Sequence, residues 1–200
     1  DAVIGLTKKT NNERFAWDSY RRFIQMYGDV VMGMKPESKE DIDPFEEIME
    51  DLKEKRGIKL DTEFTVQDLK MLVKDFKDAV KKRTGLDFPT NPWDQLWGAV
   101  IAVFNSWNGH RAIYYRHMHG YPDDWGTAVS VQAMVYGNMG NESGTGVCFS
   151  RDAATGENQF NGEYLINAQG EDVVSGARTP QQITKLGSVG WAKLAKVDEA

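Results

Sequence analysis

Along residues 1–90, apolar residues return every three or four positions; alternation by twos is confined to the later part of the chain. The first spacing places side chains on one face of a helix, and the second places them on one face of a strand. Phe15, Tyr20, Phe23, Ile24, Tyr27, Val30 and Val31 follow the helical spacing, and Asn11 or Asn12 stands where an N-cap is needed. Asp43-Pro44-Phe45-Glu46 offers a cap, a proline in the first turn and an early acid; Phe45, Ile48, Met49 and Leu52 then share a face, and Gly57 closes the segment. Thr65-Val66-Gln67-Asp68 opens a third helix with Leu69, Leu72, Val73, Phe76 and Val80 on one stripe and Gly85 behind it.

Two prolines in Phe88-Pro89-Thr90-Asn91-Pro92 interrupt any regular element, and a boundary is expected there. Beyond it, Asn91-Pro92-Trp93-Asp94 repeats the cap-plus-proline start. Trp93, Leu96, Trp97, Val100, Ile101, Phe104 and Trp107 spread over a broad apolar surface. That breadth predicts the helix most buried against a sheet, with Trp93, Trp97 and Phe104 inside. A short helix is expected over Arg111–Met118. In Thr127–Tyr136, Val129, Val131 and Val135 alternate with Ser130, Gln132 and Met134, which predicts a strand. Gly146–Arg151 and Gln159–Asn167, separated by Ala154-Thr155-Gly156-Glu157, read as an antiparallel pair. Helices first and a mainly antiparallel sheet last make an α+β chain.

Composition sharpens that division. Residues 1–90 hold 17 basic and 19 acidic side chains, against 7 and 11 in residues 91–200, while glycine rises from 5 to 14 and five of the six Trp follow residue 90. Charged, glycine-poor sequence suits amphipathic helices, and glycine-rich aromatic sequence suits strands and turns. The net charge of −6 argues against a nucleic-acid partner, which needs a basic face, and no apolar run approaches the ~18 residues of a membrane span. One cysteine, Cys148, closes no internal disulfide. The chain begins at Asp1 with no Met or leader, and the expectation is a piece of something longer.

Residues with chemistry in them give little by themselves. His117 and His119, two apart on a helix, do not share a face, and a zinc site is not expected. Cys148 lies in an expected strand and reads as a small core residue. Lys81-Lys82-Arg83 ends a helix, where cations complement the dipole. Ser143-Gly144-Thr145-Gly146 reads equally well as a tight turn, and no P-loop pattern exists. Glu171-Asp172 beside Gly170 could face a metal or a ribose, although an exposed acidic turn is the commoner arrangement. The residues alone stop at an α+β chain without an assigned reaction.

Longer strings carry more. Asn12–Tyr27 (NERFAWDSYRRFIQMY after Asn11), Arg111–Arg116, Asp124–Val129, Val131–Gly140 and Gly162–Pro180 resemble, in order, the pyruvate, phosphate dikinase family. The resemblance covers roughly residues 1–184; Lys185–Ala200 departs from the pattern. It implies an ATP-grasp nucleotide-binding domain, with 1–90 a helical insertion subdomain and 91–200 a partial ATP-grasp lobe. It also implies an enzyme that interconverts ATP, phosphate and pyruvate with AMP, pyrophosphate and phosphoenolpyruvate through a phosphohistidine on a central domain of the same chain. By that resemblance Val131–Val135 corresponds to the strand and hinge that hold adenine, which implies Gln132, Ala133, Met134 and Val135 as nucleotide-binding residues, joined by Glu171 on the cleft lining. Main-chain groups there suit the edge of the base, Met134 and Val135 its faces, and Gln132 a polar contact.

By the same resemblance, the phosphate-gripping Lys and Arg and the glycine-rich loop precede Asp1, and the Mg²⁺ ligands follow Ala200. No catalytic or metal-binding residue is therefore expected in this chain. The isolated chain is expected to be inactive and to bind neither Mg²⁺ nor ATP appreciably, whereas the whole enzyme uses both and is expected to be a homodimer. The compartment is expected to be cytoplasmic, with a plastid or glycosome-like organelle as alternatives. Two competing readings are a non-catalytic interaction module that keeps an ATP-grasp lobe and a water-using phosphoenolpyruvate synthase.

Overall fold

Four helices begin where a side-chain oxygen takes up an otherwise orphaned N–H group. In a computed structural model, which describes residues 2–36, 41–176 and 178–186, Asn12 Oδ1 accepts from the Phe15 N–H at 3.0 Å and starts α2 (Glu13–Val30). Asp43 Oδ1 accepts from the Phe45 N–H at 2.7 Å ahead of α3 (Pro44–Arg56), which ends on Gly57 at φ 69°. Thr65 and Asp68 cap each other, at 3.2 and 3.1 Å, to open α4 (Val66–Thr84), closed by Gly85. Asn91 Oδ1 accepts from the Trp93 N–H at 2.9 Å before α5 (Pro92–Ser106). The helix expected over Arg111–Met118 is α6 (His110–His119), ending at Gly120. Two α-helices, α1 (Ala2–Thr10) and a short one over Gly170–Val174, have no counterpart among the expectations; α1 buries only Val3 and lacks a full stripe.

The chain forms two units, Asp1–Gln132 and Ala133–Ala200. In the first, α2, α3 and α4 share a core in which Ile24, Phe45, Leu69, Leu72, Phe76 and Val80 are fully enclosed. Every residue of the expected α4 stripe is buried, as are Phe45, Met49 and Leu52 of α3. On α2 the stripe is narrower than expected, because Phe23 and Val30 remain exposed. The Phe45 and Phe76 ring centroids lie 4.7 Å apart. Gly28 lets Phe45 in: a Cβ there would sit 2.7 Å from the ring.

Charges close the same bundle. Arg21 is buried and pairs with Asp18 at 2.7 Å, and Lys53 pairs with Asp61 at 2.9 Å. Burial opposes ionisation of Asp18, but Arg21 and Arg22 outweigh it and hold the carboxyl below its usual range. Asp29 goes the other way. Burial, with Asp43 and Glu46 nearby, pushes its carboxyl up to about 6 against the opposing pull of Lys35 and Arg83.

The apolar surface of α5 is not covered as expected. Trp93, Trp97 and Phe104 are 68%, 60% and 50% exposed, and no residue of α5 is buried. The helix leans on α2 through Gly98, where a Cβ would strike the Tyr27 hydroxyl; among the described residues of the first unit, no layer covers the opposite side. Hydrophobic breadth reports what a face would gain by burial, not what is there to bury it.

In the second unit, β1 (Gly144–Phe149) runs antiparallel to β2 (Asn161–Ile166), as expected, with Gly144 opposite Ile166 and Phe149 opposite Asn161. Asp152 Oδ1 accepts from the Ala154 and Thr155 N–H groups at 2.8 and 2.9 Å, turning the chain between them. A two-residue strand β3 (Gln181–Gln182) adds to β2, and a short helix α7 (Gly170–Val174) packs Val173 with Leu165 and Ala168. Helices and a small antiparallel sheet make the fold α+β. Two expectations about strands fail. Thr127–Tyr136 joins no ladder among the described residues, because alternation is necessary for a strand but pairing also needs a neighbour. Cys148 is exposed on β1 rather than in the core, since this sheet's small cluster gathers elsewhere. Of the divergent Lys185–Ala200 tail, all but the first two residues lie outside the described residues.

Candidate nucleotide-binding segment

Gln132 closes the first unit and Ala133 opens the second, and the four expected contact residues are all exposed. Met134 is 66% and Val135 94% exposed, values that leave an apolar surface free to cover a flat ring. Their backbone lies outside every helix and ladder.

Two residues later the exposure stops. Gly137 and Asn138 are buried. The Gly137 carbonyl accepts from the Ala168 N–H at 2.9 Å, and Thr145 donates from its hydroxyl to the Ala168 carbonyl at 2.7 Å. A Cβ at Gly137 would collide with the Thr145 hydroxyl and the Ala168 carbonyl, so glycine alone allows this closeness. The Ser143 hydroxyl accepts from the Met139 N–H at 2.9 Å and donates to the Gly140 carbonyl at 2.8 Å, rounding the turn into β1. The exposed run is thus anchored at its C-terminal end.

Glu171 sits exposed in the first turn of α7, a helix where an acidic turn was the ordinary expectation. Asp172 caps that helix by accepting from the Gln169 N–H at 2.8 Å. Gln169 Nε2 donates to Asn138 Oδ1 at 3.1 Å. Arg178 donates to the Ile166 and Asn167 carbonyls, both at 2.9 Å, and fixes the exit of β2. Asn138 and Gln169, neither of them an expected site residue, tie the segment after Val135 to the segment before Glu171. They stand 31 positions apart, and only the run Tyr136-Gly137-Asn138, a turn-forming string after an apolar stretch, hinted at the first.

The other candidates resolve into structure. Arg116 is buried, lies over the Trp107 ring at 4.3 Å and pairs with Asp123 at 2.9 Å; His117 adds a contact to Asp123 at 3.2 Å. Hydrogen bonds from Arg116 and then His117 hold the Asp123 carboxyl below its usual range. His119 instead packs at a tilt on Tyr115, with centroids 4.2 Å apart, and stacks on Tyr121 at 5.9 Å. Lys81 pairs with Asp87 at 2.7 Å on the surface. Among the described residues no three His, Cys, Asp or Glu side chains are grouped to hold a metal. Nor is any described helix long and apolar enough to cross a membrane.

Residues 48–200 match the family described as "Pyruvate phosphate dikinase, AMP/ATP-binding domain". The chain is 53% identical over 188 residues to the pyruvate, phosphate dikinase of Rhizobium meliloti (strain 1021), covering 94% of this chain and 20% of that protein. It is 58% identical over 186 residues to that of Clostridium symbiosum, covering 92% and 21%. To the chloroplastic enzyme of Mesembryanthemum crystallinum it is 51% identical over 188 residues, covering 94% and 19%. The chain therefore spans about a fifth of the length of these relatives. With both the match across most of its residues and this level of identity, the chain belongs to the pyruvate phosphate dikinase AMP/ATP-binding domain family.

Proposed function

We propose that this chain supplies the adenine-holding part of the ATP/AMP site of a dikinase. The observation that carries the reading is an exposed, ladder-free run at Ala133–Val135 that falls inside the matched AMP/ATP-binding domain. Main-chain N–H and C=O groups of this run pair with the edge of the base, Met134 and Val135 cover its faces, Gln132 adds a polar contact, and Glu171 lines the cleft. Residues 1–90 are the helical insertion subdomain, and residues 91–200 belong to the ATP-grasp lobe.

The whole protein interconverts ATP, phosphate and pyruvate with AMP, pyrophosphate and phosphoenolpyruvate. A phosphohistidine on a central domain carries the phosphoryl group, and two such chains make the enzyme. This segment's share is binding and orientation of the nucleotide. Phosphoryl transfer also needs charge neutralisation at the phosphates, which Met134, Val135 and their neighbours do not provide. The 200-residue chain alone accordingly forms no AMP or pyrophosphate from ATP, with or without pyruvate.

Replacing Met134 by Trp in the dikinase-length protein tests the hinge. The expected result is a rise in the Kd for ATP and AMP of about tenfold or more, with pyruvate binding unchanged. Unchanged nucleotide affinity removes the hinge, and equal loss of both ligands assigns the effect to folding.

A further inference from the structure

We infer that the Asn138–Gln169 side-chain bridge is a positioning brace that sets Glu171 against the Met134–Val135 run; this rests on the hinge reading above. Asn138 lies three residues beyond Val135, and Gln169 lies two before Glu171. Their amides meet at 3.1 Å, and all four segments belong to the same unit. Around the bridge the backbone is already closed: the Ala168 N–H reaches the Gly137 carbonyl, and Gly137 leaves no room for a side chain. The amide pair adds a side-chain tie between the same two stretches, one residue beyond the main-chain contact on each, and it is the tie nearer to Glu171.

Asn138 is only 7% exposed, and its Nδ2 has no hydrogen-bond partner among the described residues. Burying a donor without a partner is destabilising, so an apolar side chain would serve a purely packed position better. Asparagine earns its place through Oδ1, which receives the Gln169 amide. Gln169 is itself held at its main chain by the Asp172 cap, so the brace transmits to the first turn of α7, where Glu171 projects. Both residues act through Glu171 and the hinge and touch no reacting atom.

The amide chemistry gives a test with a pattern that simple loss of stability does not reproduce. Asn138→Asp keeps an acceptor for the Gln169 amide. Gln169→Glu keeps a partner for the otherwise idle Asn138 Nδ2 once that amide turns over. The double change sets two carboxylates together and has no donor. In the dikinase-length protein, Asn138→Ala and Gln169→Ala are each expected to raise KM for ATP about 3–10-fold, the double alanine variant no more than either, with KM for pyruvate unchanged. The two single acidic variants are expected to stay within about twofold of the parent, and the acidic pair to fall with the alanine variants. If Asn138→Ala fails to fold, the half-buried Gln169 series and the acidic pair carry the same comparison. ATP KM unmoved in every variant, while Met134→Trp still weakens nucleotide binding, overturns the brace and leaves the hinge standing. Equal loss for ATP and pyruvate, or additive alanine effects, overturns it as well. An inert Met134→Trp removes the hinge reading and the brace with it.

Discussion

The helical bundle of the first unit and the small sheet of the second are held by different means. In the bundle, Phe45, Phe64, Phe76, Leu69 and Leu72 are almost wholly removed from water, and each contributes through area. In the sheet unit the enclosed cluster is Leu165, Ala168 and Val173, and the remaining order comes from main-chain closeness at Gly137, the Arg178 clamp and the Asn138–Gln169 pair. Burial of a large side chain yields roughly 1.5–3 kcal/mol, against about 0.5–1.5 kcal/mol net for a hydrogen bond. The bundle is therefore insensitive to small shifts and sensitive to lost volume. The sheet unit is the reverse: little is gained by area, and much depends on specific atoms meeting. A nucleotide contact surface is better built on the second kind of frame, where main-chain groups need not be spent on a core.

Phe76→Ala probes the contrast most strongly. It should destabilise the bundle by about 3–5 kcal/mol, whereas Leu165→Ala, next to a smaller cluster, should cost the sheet unit about 2–3 kcal/mol. Hydrogen exchange under mild urea reads the two units separately. Exchange rising equally everywhere in both variants would merge them into one cooperative body.

Asp29 sharpens the comparison at its electrostatic margin. Its folded-state carboxyl titrates near 6, above the ordinary value, so its contribution to stability is complete below about 4 and is lost as pH rises through 6. Asp29→Asn should therefore leave stability at pH 4 nearly unchanged and raise it by about 1 kcal/mol at pH 7.5, after allowance for solvent screening. A variant that loses stability at pH 7.5 would show that the ionised carboxylate is favourably paired.

Trp97→Gln is expected to do least. At 60% exposure its removal should move the stability of this chain by under about 0.5 kcal/mol, measured by urea unfolding. A loss of 2 kcal/mol or more would return the side chain to a core.

How far this was legible from sequence depends on how local the cause is. Asn12, Asp43, Thr65 and Asn91 act on N–H groups two or three residues away, and their helices begin as the pattern predicts. The β1–β2 pair is also local, joined through the Asp152 turn. Trp93, Trp97 and Phe104 were misplaced because burial needs a covering surface, which no helix face encodes. Thr127–Tyr136 failed as a ladder strand for the same kind of reason. The candidate site has no short-range signature: Ala133, Met134 and Val135 have no distinctive chemistry, and only the long resemblance picked them out. The Asn138–Gln169 contact was invisible, since neither residue is unusual where it stands.

In the order β1-β2-β3, β1 has a partner on one side only among the described residues. Gly137 covers its start at Gly144 and Thr145, but toward its end, where Val147 and Phe149 are exposed, its outer main-chain groups have no ladder partner among the described residues. Such an edge templates a further strand from any chain that meets it. Gly144 and Gly146 lower its strand propensity and act as its brake. Concentrated solutions of the 200-residue chain should thus self-associate edge to edge, and substitutions that make β1 a better strand should hasten it.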